Sequence, residues 1–224
     1  MGDRATKDAL FDGFAAIGKA VSNGRRAEIL DVLAQGERHV DELAAEIGQS
    51  VANASFHLRT LATAGLVTSR RAGTRVYYAL GSERVEELWR AVRDVAVAHN
   101  AEIDDLAAAY LGRREGLEEI TRDELARRLD AGDVVVLDVR PAPEFGAGHI
   151  AGARSVPIDL LSAQVRSLAA DVEVVAYCRG PFCVFADDAV RLLRRRGRRA
   201  RRLEDGYPEW RRAGFPIAAT GRSA

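Results

Sequence analysis

The spacing of apolar residues changes near residue 114, and this change constrains the fold more than any other feature. Before it, apolar residues recur at three- and four-residue steps, typical of helices, with one interruption that indicates a hairpin. After it, the near-continuous apolar runs 133–139 and 172–177 alternate with helical patterns. A chain of 224 residues is long enough for two domains. We therefore predict two domains, at 1–113 and 117–224.

Charge and cysteine content narrow the classes of function. The 33 lysines and arginines balance the 33 acidic residues, so any nucleic-acid binding must come from a local basic patch. No apolar run approaches the roughly 20 residues of a membrane span, and the N-terminus lacks the apolar stretch of a secretory signal. We therefore expect a cytoplasmic protein with no membrane partner. Cys178 and Cys183 lie close together in the chain, which favours chemistry over a structural disulfide framework.

The first half reads as short helices followed by a hairpin. Ser50 is a suitable N-cap for the last helix of this group, and Leu58, Leu61 and Ala62 would face the core. Gly73 lies in the turn between two short extended runs. Two helices joined by a tight turn and followed by a basic hairpin are typical of a winged helix-turn-helix. The helices are predicted at 7–20, 24–34, 40–47 and from Ser50 onward, and the extended runs at 66–69 and 75–80.

This arrangement predicts a protein that binds double-stranded DNA in a sequence-specific way. The second helix of the pair fits the major groove, where small polar residues near its N-terminus approach the base edges. Arginines on the hairpin would contact phosphates, which supply affinity without sequence information. The predicted DNA-binding residues are Ser50, Asn53, Ser55, His57 and Arg59 on the helix, and Arg70, Arg71 and Arg75 on the hairpin.

Residues 7–98 resemble the ArsR family of bacterial transcriptional repressors. The matching stretches are GRRAEIL at 24–30, VDELAAEIG at 40–48, the SFHL signature at 55–58, and GLV with RRAGTRVYYAL within 65–80. The resemblance implies a mainly α winged helix-turn-helix domain that forms a homodimer on a pseudo-palindromic operator.

The metal sites of that family are largely missing from this sequence. The segment 39–43 has no cysteine where the family carries a cysteine pair, so the soft-metal site is absent. His99 and Glu102 match one half of a second site, but Glu86 and Leu88 occupy the positions of the other half. Two ligands of four make a poor zinc site, so we predict no metal ligands and no cofactor. Metal sensing through His99 and Glu102 stays a weaker alternative to a histidine on the dimer helix.

Residues 82–111 read as one long helix, because apolar residues recur along it at three- and four-residue steps. Such a stripe exceeds what the small first domain can cover, so the excess would be buried against a second copy of the chain. We therefore expect a homodimer formed through the 82–111 helix and the N-terminal helix. The glycine-containing segment 111–117 is the predicted linker.

The second half predicts an α/β domain with a parallel sheet, because strands alternate with helices. Ligands bind beyond the carboxyl ends of the strands in such sheets, and Cys178 lies at that position. The six-residue stretch Cys178–Cys183 could curl so that backbone N–H groups, with a helix N-terminus behind them, favour an anion. Arg179 would add to this field if it turned inward, and the field would lower the pKa of the thiol. A persulfide, an arsenate adduct or a phosphocysteine fits this description, and a buried inert cysteine is the alternative.

Residues 118–218 resemble a single-domain rhodanese, a sulfurtransferase. The matches are LDVR at 137–140, Glu144-Phe145, GHIAGARSVP at 148–157, Tyr177-Cys178 and LEDGYPEW at 203–210. The resemblance implies that Cys178 carries a persulfide cradled by the loop backbone, and the six-residue loop has the length that suits sulfur. The predicted site consists of Cys178, Arg179, Gly180, Phe182 and Cys183.

This loop departs from the family at two positions. Cys183 stands where many rhodaneses have Arg or Ser, and Pro181 removes one N–H from the cradle. Cys183 is either a helix-start cysteine without a role or a partner that attacks persulfidated Cys178, giving a disulfide or a sulfur bridge. Asp138, Arg140 and Glu144 are interpreted as a structural set of buried charges. The arginines at 194–202 are interpreted as a solvated helix end.

These features together predict a dimeric DNA-binding regulator that senses or carries sulfane sulfur on Cys178. Its small-molecule partner would be a persulfide, a polysulfide or thiosulfate. The alternative is a sulfurtransferase, or less readily an arsenate reductase, with an attached DNA-binding domain.

Overall fold

The computed structural model describes residues 2–112, 114–168 and 171–220. The chain divides into two compact units, Met1–His99 and Asn100–Ala224. The domain limits predicted from the sequence, 1–113 and 117–224, stay a prediction. The described residues hold no helix long and apolar enough to cross a lipid bilayer.

The first unit is mainly helical and carries a small antiparallel sheet of order β1-β3-β2. Its predicted helices and its hairpin are confirmed, and Gly73 adopts a positive φ of 59° in the hairpin turn. The elements are α1 (Arg4–Val21), α2 (Gly24–Leu33), β1 (Arg38–His39), α3 (Val40–Glu46), α4 (Val51–Thr63), β2 (Val67–Ala72), β3 (Arg75–Leu80) and α5 (Glu83–His99).

Short polar side chains begin three of these helices. The Asp3 carboxylate accepts a hydrogen bond from the Thr6 N–H, and Asn23 accepts from the amides of Arg25 and Arg26. The Ser50 hydroxyl accepts from the Asn53 N–H, as its predicted N-cap position requires. The core of the unit is aliphatic and includes Ile29, Leu30, Leu43, Leu58 and Leu61.

The predicted single helix over 82–111 is wrong. Helix α5 ends at His99, and α6 (Glu102–Leu111) begins after a break at Asn100. The Asn100 side-chain oxygen accepts from the Glu102 N–H at 3.1 Å, and its carbonyl accepts from the Ile103 N–H at 3.0 Å. Asn100 therefore ends one helical run and starts the next, although the apolar spacing continues across it.

The second unit is built on a five-stranded parallel sheet of order β4-β9-β8-β5-β7. This confirms the predicted α/β class. After α6 its elements are β4 (Glu119–Ile120), α7 (Arg122–Ala131), β5 (Val134–Asp138), α8 (Ala142–Ala147), β6 (His149–Ile150), β7 (Arg154–Ser155), α9 (Ile158–Gln164), β8 (Glu173–Cys178), α10 (Val184–Arg195), β9 (Ala200–Gly206), α11 (Tyr207–Arg212) and β10 (Ile217–Ala218).

The two faces of this sheet carry separate cores, because side chains alternate along each strand. Val174, Ala176 and Cys178 of β8 share one cluster with residues of α9 and α10. Val175 and Tyr177 share the other with residues of α7 and α11. The last residue of β8 therefore directs its sulfur toward the face covered by α10.

Candidate functional site

Helix α4 has a buried face and an exposed face. Ala54, Leu58 and Leu61 are fully buried. At about 100° of rotation per residue, the positions opposite them are exposed, and we call these four the outward face: Ala52, Phe56, Arg59 and Thr63. Ala62 is also exposed, contrary to its predicted core position, since it lies to one side of the buried face.

Three of the predicted DNA-binding residues on this helix are exposed. Ser50 caps the N-terminus, and the Asn53 amide nitrogen donates to the Gln49 side-chain oxygen at 3.3 Å. The Arg59 Nε donates to the Ser55 carbonyl at 3.4 Å, while Ser55 itself is half-buried. Asn53 lies beside the outward face and Arg59 lies on it, so the exposed side of α4 carries groups that can donate and accept hydrogen bonds.

His57 does not belong to the outward face. It is half-buried, because it lies closer to Leu58 and Leu61 around the helix. Its Nδ1 atom is buried and has no hydrogen-bond partner among the described residues, and its ring meets the Phe56 ring edge-on at 5.8 Å. The predicted direct contact of His57 with DNA is therefore not supported by its placement.

The arginines of the hairpin differ in their surroundings. Arg70 is bound by the Glu37 carboxylate, with Nε 2.7 Å from Oε1, and its guanidinium lies 4.7 Å from the centre of the Tyr77 ring. The hydrogen bond to Glu37 raises the pKa of Arg70. The expected phosphate contact of Arg70 therefore competes with a carboxylate of the same unit. Arg71 and Arg75 are exposed at the hairpin tip.

In the second unit, a disulfide joins Cys178 to Cys183. Cys178 is the last residue of β8 and Cys183 is the N-cap of α10, so the loop between them connects the strand end to the helix start. Their Cα atoms are 6.2 Å apart, within the range of about 4.4–6.8 Å that is usual for protein disulfides. The loop thus brings Cys183 within bonding distance of Cys178, as the second of the two roles considered for Cys183 requires.

The surroundings of the sulfur differ from the predicted amide cradle. Cys178 is buried in an apolar cluster that includes Val139, Ala186 and Ala189, and half-buried Cys183 packs against the same cluster. The Cys183 N–H donates to the Gly180 carbonyl at 3.2 Å, so it is directed away from any anion at the sulfur. In this state the loop holds a neutral disulfide and not a cradled thiolate.

The Arg179 guanidinium pairs with the Glu144 carboxylate, and its expected effect on the thiol stays a prediction. Its Nε lies 3.0 Å and its Nη2 2.6 Å from Oε1 of Glu144, whose side chain is fully buried. This ion pair ties the start of the loop to helix α8. Arg179 therefore positions the loop backbone, and Glu144 has the structural role expected of it.

A second network of ion pairs contacts the loop between Cys178 and Cys183. The buried Asp187 of α10 accepts from the Arg114 Nε at 2.6 Å and from the Arg202 Nη1 at 3.1 Å. The Arg114 Nη2 also donates to the Pro181 carbonyl, in the loop itself, at 2.8 Å. Arg114 therefore joins the start of α10 to the middle of the loop. Sequence patterns miss this network, because its members are far apart in the chain.

Gly206 allows the loop to approach strand β9. A Cβ at this position would collide with the backbone of Arg179 and Gly180. Gly206 pairs with Cys178 in the sheet, so only a residue without a side chain fits beside the cysteine loop. The predicted site omitted Gly206, although its place in the LEDGYPEW stretch was a usable signal.

A buried charge set lies behind the loop. The Tyr177 hydroxyl donates to Asp138 Oδ2 at 2.6 Å, and the Arg140 Nε donates to Asp138 Oδ1 at 2.9 Å. Burial raises the pKa of the Tyr177 hydroxyl, which stays protonated and keeps donating. Burial opposes the charge of Arg140, but its bonds to Asp138 outweigh this and raise its pKa. The set fixes the end of β5 beside β8.

Among the described residues, no group of three or more His, Cys, Asp or Glu side chains is arranged to hold a metal ion. His99 ends α5 and Glu102 begins α6.

Two protein families match the chain. The family described as bacterial regulatory protein, arsR family, matches residues 23–69, and the rhodanese-like domain matches residues 121–213. An HTH-type transcriptional regulator of Mycobacterium tuberculosis is 48% identical over 216 residues, which cover 96% of this chain and 95% of the relative.

Solved structures match each half. The homodimeric winged helix-turn-helix DNA-binding domain of a possible ArsR-family regulator from Mycobacterium bovis is 45% identical, with a TM-score of 0.42, and covers 46% of this chain and 94% of its own. A rhodanese-related protein from Thermoplasma volcanium is 26% identical, with a TM-score of 0.41, and covers 45% and 97%.

The match to the M. tuberculosis regulator extends over nearly the full length of both chains, through both family regions. The chain therefore belongs to the ArsR family of helix-turn-helix transcriptional regulators, in a form that carries a C-terminal rhodanese-like domain.

Proposed function

We propose that this regulator binds operator DNA through α4 and the β2–β3 hairpin, and that sulfane sulfur at Cys178 and Cys183 is its signal. The observation that carries the proposal is the bond between these two cysteines at the end of β8. A rhodanese needs only one cysteine to carry sulfur. A second cysteine within bonding distance gives the loop two stable states, a dithiol and a disulfide.

The signal chemistry has two steps. A low-molecular-weight persulfide, RSSH, transfers its outer sulfur to the Cys178 thiol, giving Cys178–SSH and RSH. The Cys183 thiol then attacks the Cys178 sulfur that is bonded to carbon. The Cys178–Cys183 disulfide forms and the outer sulfur leaves as hydrogen sulfide. The donor is thereby reduced and the dithiol oxidised.

The disulfide is reversed from the Cys183 side. Cys178 is buried whereas Cys183 is half-buried, so an incoming thiolate reaches the Cys183 sulfur more easily. The attack forms a mixed disulfide at Cys183 and releases the Cys178 thiolate. A second thiol then attacks the mixed disulfide, which restores the Cys183 thiol and releases the two reducing thiols as their own disulfide.

DNA binding rests on the exposed polar residues Ser50, Asn53 and Arg59 and on Arg71 and Arg75. Helices in the major groove read base edges, while arginines on a hairpin contact phosphates. His57 is not in this set, because it is half-buried. Arg70 can bind a phosphate only after its ion pair with Glu37 breaks.

The protein acts as a homodimer in this proposal. Large apolar side chains are exposed on α1 and α5, and a second copy of the chain would cover them. The related M. bovis domain is described as homodimeric. The exposed residues are Leu10, Phe11 and Phe14 on α1, and Val92, Val95 and Val97 on α5.

Intact-protein mass spectrometry of the reduced full-length protein after exposure to polysulfide tests the sulfur chemistry. We expect the wild type to end as the disulfide, and Cys183→Ser to accumulate added sulfur localised to Cys178. If Cys178→Ser and Cys178→Ala accumulate as much added sulfur as Cys183→Ser does, Cys178 is not the acceptor.

The enzyme alternative has a different signature. A sulfurtransferase would turn over thiosulfate and cyanide at rates of roughly 1–1000 s⁻¹. The proposed regulator would show little turnover, since Cys183 diverts Cys178 into the disulfide, and Cys183→Ser would turn over faster than the wild type. If the wild type turns over rapidly and sulfur does not change its affinity for DNA, the sulfurtransferase interpretation is correct and the proposed sensing function is wrong.

A further inference from the structure

We infer that Phe56 contacts the methyl group of a thymine in each operator half-site. The inference rests on the proposed function, in which α4 enters the major groove, and it adds the base that the helix selects. Phe56 was absent from the DNA-binding residues predicted from the sequence, and its position in the fold is what indicates this role.

Phe56 occupies the middle of the outward face. Phe56 is 59% exposed, although a phenylalanine side chain stabilises a fold most when it is removed from water. It lies opposite Leu58 and Leu61, which hold the helix against the core, so it contributes little to holding α4 in place. Single exposed apolar residues are common on protein surfaces. This one, however, lies on the face that must meet the base edges if α4 enters the groove.

The neighbours of Phe56 favour a nucleic-acid partner over a second apolar surface. Asn53 and Arg59, three residues before and after it, are exposed and polar, and exposed Ala52 lies one turn earlier. An apolar protein partner would have to bury these polar groups. Duplex DNA instead offers base edges to Asn53 and phosphates or guanine to Arg59.

The chemistry of the ring limits what it can recognise. Phenylalanine has no hydrogen-bonding group in its side chain, so it cannot read the donors and acceptors of the base edges. The thymine methyl is the apolar group that the unmodified bases display in the major groove, and phenylalanine and alanine both contact it favourably. Phe56 and Ala52 therefore form an apolar strip suited to thymine, beside an Asn53 suited to adenine.

The experiment first selects an operator from a random duplex library with the full-length wild type. Each thymine of that operator is then replaced singly by deoxyuridine, which removes only the methyl group. Affinities at fixed salt are measured by fluorescence anisotropy for wild type, Phe56→Ala and Phe56→Leu. The matched control is Val51→Ala. Val51 is an apolar residue of the same helix that is 44% exposed and lies about 140° around the helix from Phe56.

At one thymine per half-site, we expect deoxyuridine to weaken wild-type binding about fourfold, the effect of losing one buried methyl group. Phe56→Ala should bind the thymine operator and the deoxyuridine operator with equal affinity. Phe56→Leu should keep part of the preference for thymine, and Val51→Ala should keep all of it. If every deoxyuridine effect persists unchanged in Phe56→Ala, the inference is wrong. If no duplex is enriched in the selection, the proposed DNA-binding function itself fails.

Discussion

Helix α4 exposes its candidate DNA-binding residues, whereas the cysteine loop is held by side chains that are themselves buried. Asn53 and Arg59 extend from a helix whose buried face consists of Ala54, Leu58 and Leu61. The loop instead depends on the buried carboxylates of Glu144 and Asp187. Function and stability are therefore separable on α4 and linked at the loop. Substitutions on the two regions should show this difference.

The largest effect is expected at Asp187. Asp187→Asn removes the charge that compensates Arg202, which is buried, and Arg114. Loss of one partner from a buried ion pair costs about 3–5 kcal/mol. We expect urea unfolding of the full-length protein, followed by Trp210 fluorescence in a Trp89→Phe background, to show a loss of this size. The neighbouring Asp188 is 56% exposed and pairs with Arg191, so Asp188→Asn should change stability by less than about 0.5 kcal/mol.

Arg114 gives a smaller effect with an internal comparison. Arg114→Lys keeps a positive charge near Asp187. A lysine lacks the planar guanidinium, whose separate nitrogens donate to Asp187 and to the Pro181 carbonyl at the same time. We expect the free energy of unfolding to fall by about 1.5–3 kcal/mol in the same assay, the value of one hydrogen bond to a charged group. Arg191 has the same 28% side-chain exposure, but its partner is exposed. Equal losses in Arg114→Lys and Arg191→Lys would show that the loop is not supported by its buried network.

Glu173 predicts a dependence on pH. Burial alone would raise the pKa of its carboxyl, but hydrogen bonds from Arg128 and Arg201 outweigh burial and hold the pKa below its usual 4.5. A lowered carboxyl pKa stabilises the fold above the unfolded pKa, and this contribution is lost as the pH falls through the folded pKa. Glu173→Gln should therefore cost about 1 kcal/mol at pH 7, in the range of one hydrogen bond, and nothing once the carboxyl is protonated in the wild type.

Glu204 supplies the opposite control. Burial and the nearby Asp205 raise its pKa, so its charge opposes folding at neutral pH. Glu204→Gln should slightly stabilise the protein at pH 7, and the gain should disappear as the pH falls below the usual pKa of 4.5. Urea midpoints are compared with that of the wild type at each pH between 7 and 3. If the two differences from the wild type change in the same direction as the pH falls, these assignments are wrong.

The smallest effect on folding is expected at the hairpin tip. Arg71→Ala and Arg75→Ala should each weaken binding by a similar factor for every DNA sequence tested. Each should also reduce the slope of log affinity against log salt concentration by about one. Stability should stay within about 0.5 kcal/mol, since both residues are exposed. An unchanged salt slope would remove that arginine from the DNA contact.

The two regions also differ in how much of their structure could be predicted from the sequence. Apolar spacing, the Ser50 cap and Gly73 are local signals, and they predicted the helices and hairpin of the first unit. The break at Asn100 was missed because the apolar spacing continues across it. The network of Arg114, Asp187 and Arg202 was missed because no local pattern links ion pairs between distant residues.

The cysteine loop shows a further limit of local patterns. The sequence placed Cys178 at a strand end, before a helix, and this is correct. The direction of its sulfur depends on the alternation along β8 and on the packing of α10. The orientation of Arg179 depends on the buried Glu144. These features arise only when the sheet is assembled.

The most direct test of the account measures operator affinity before and after polysulfide treatment of the reduced full-length protein. Wild type, Cys178→Ala and Cys183→Ser are compared, with sulfur loading followed by mass spectrometry on the same samples. We predict that treatment changes wild-type affinity by about 5–150-fold, the range of typical coupling energies between two sites, and leaves Cys178→Ala unchanged. An equal response in Cys178→Ala, or no response in wild type that mass spectrometry shows to be converted to the disulfide, would contradict the account.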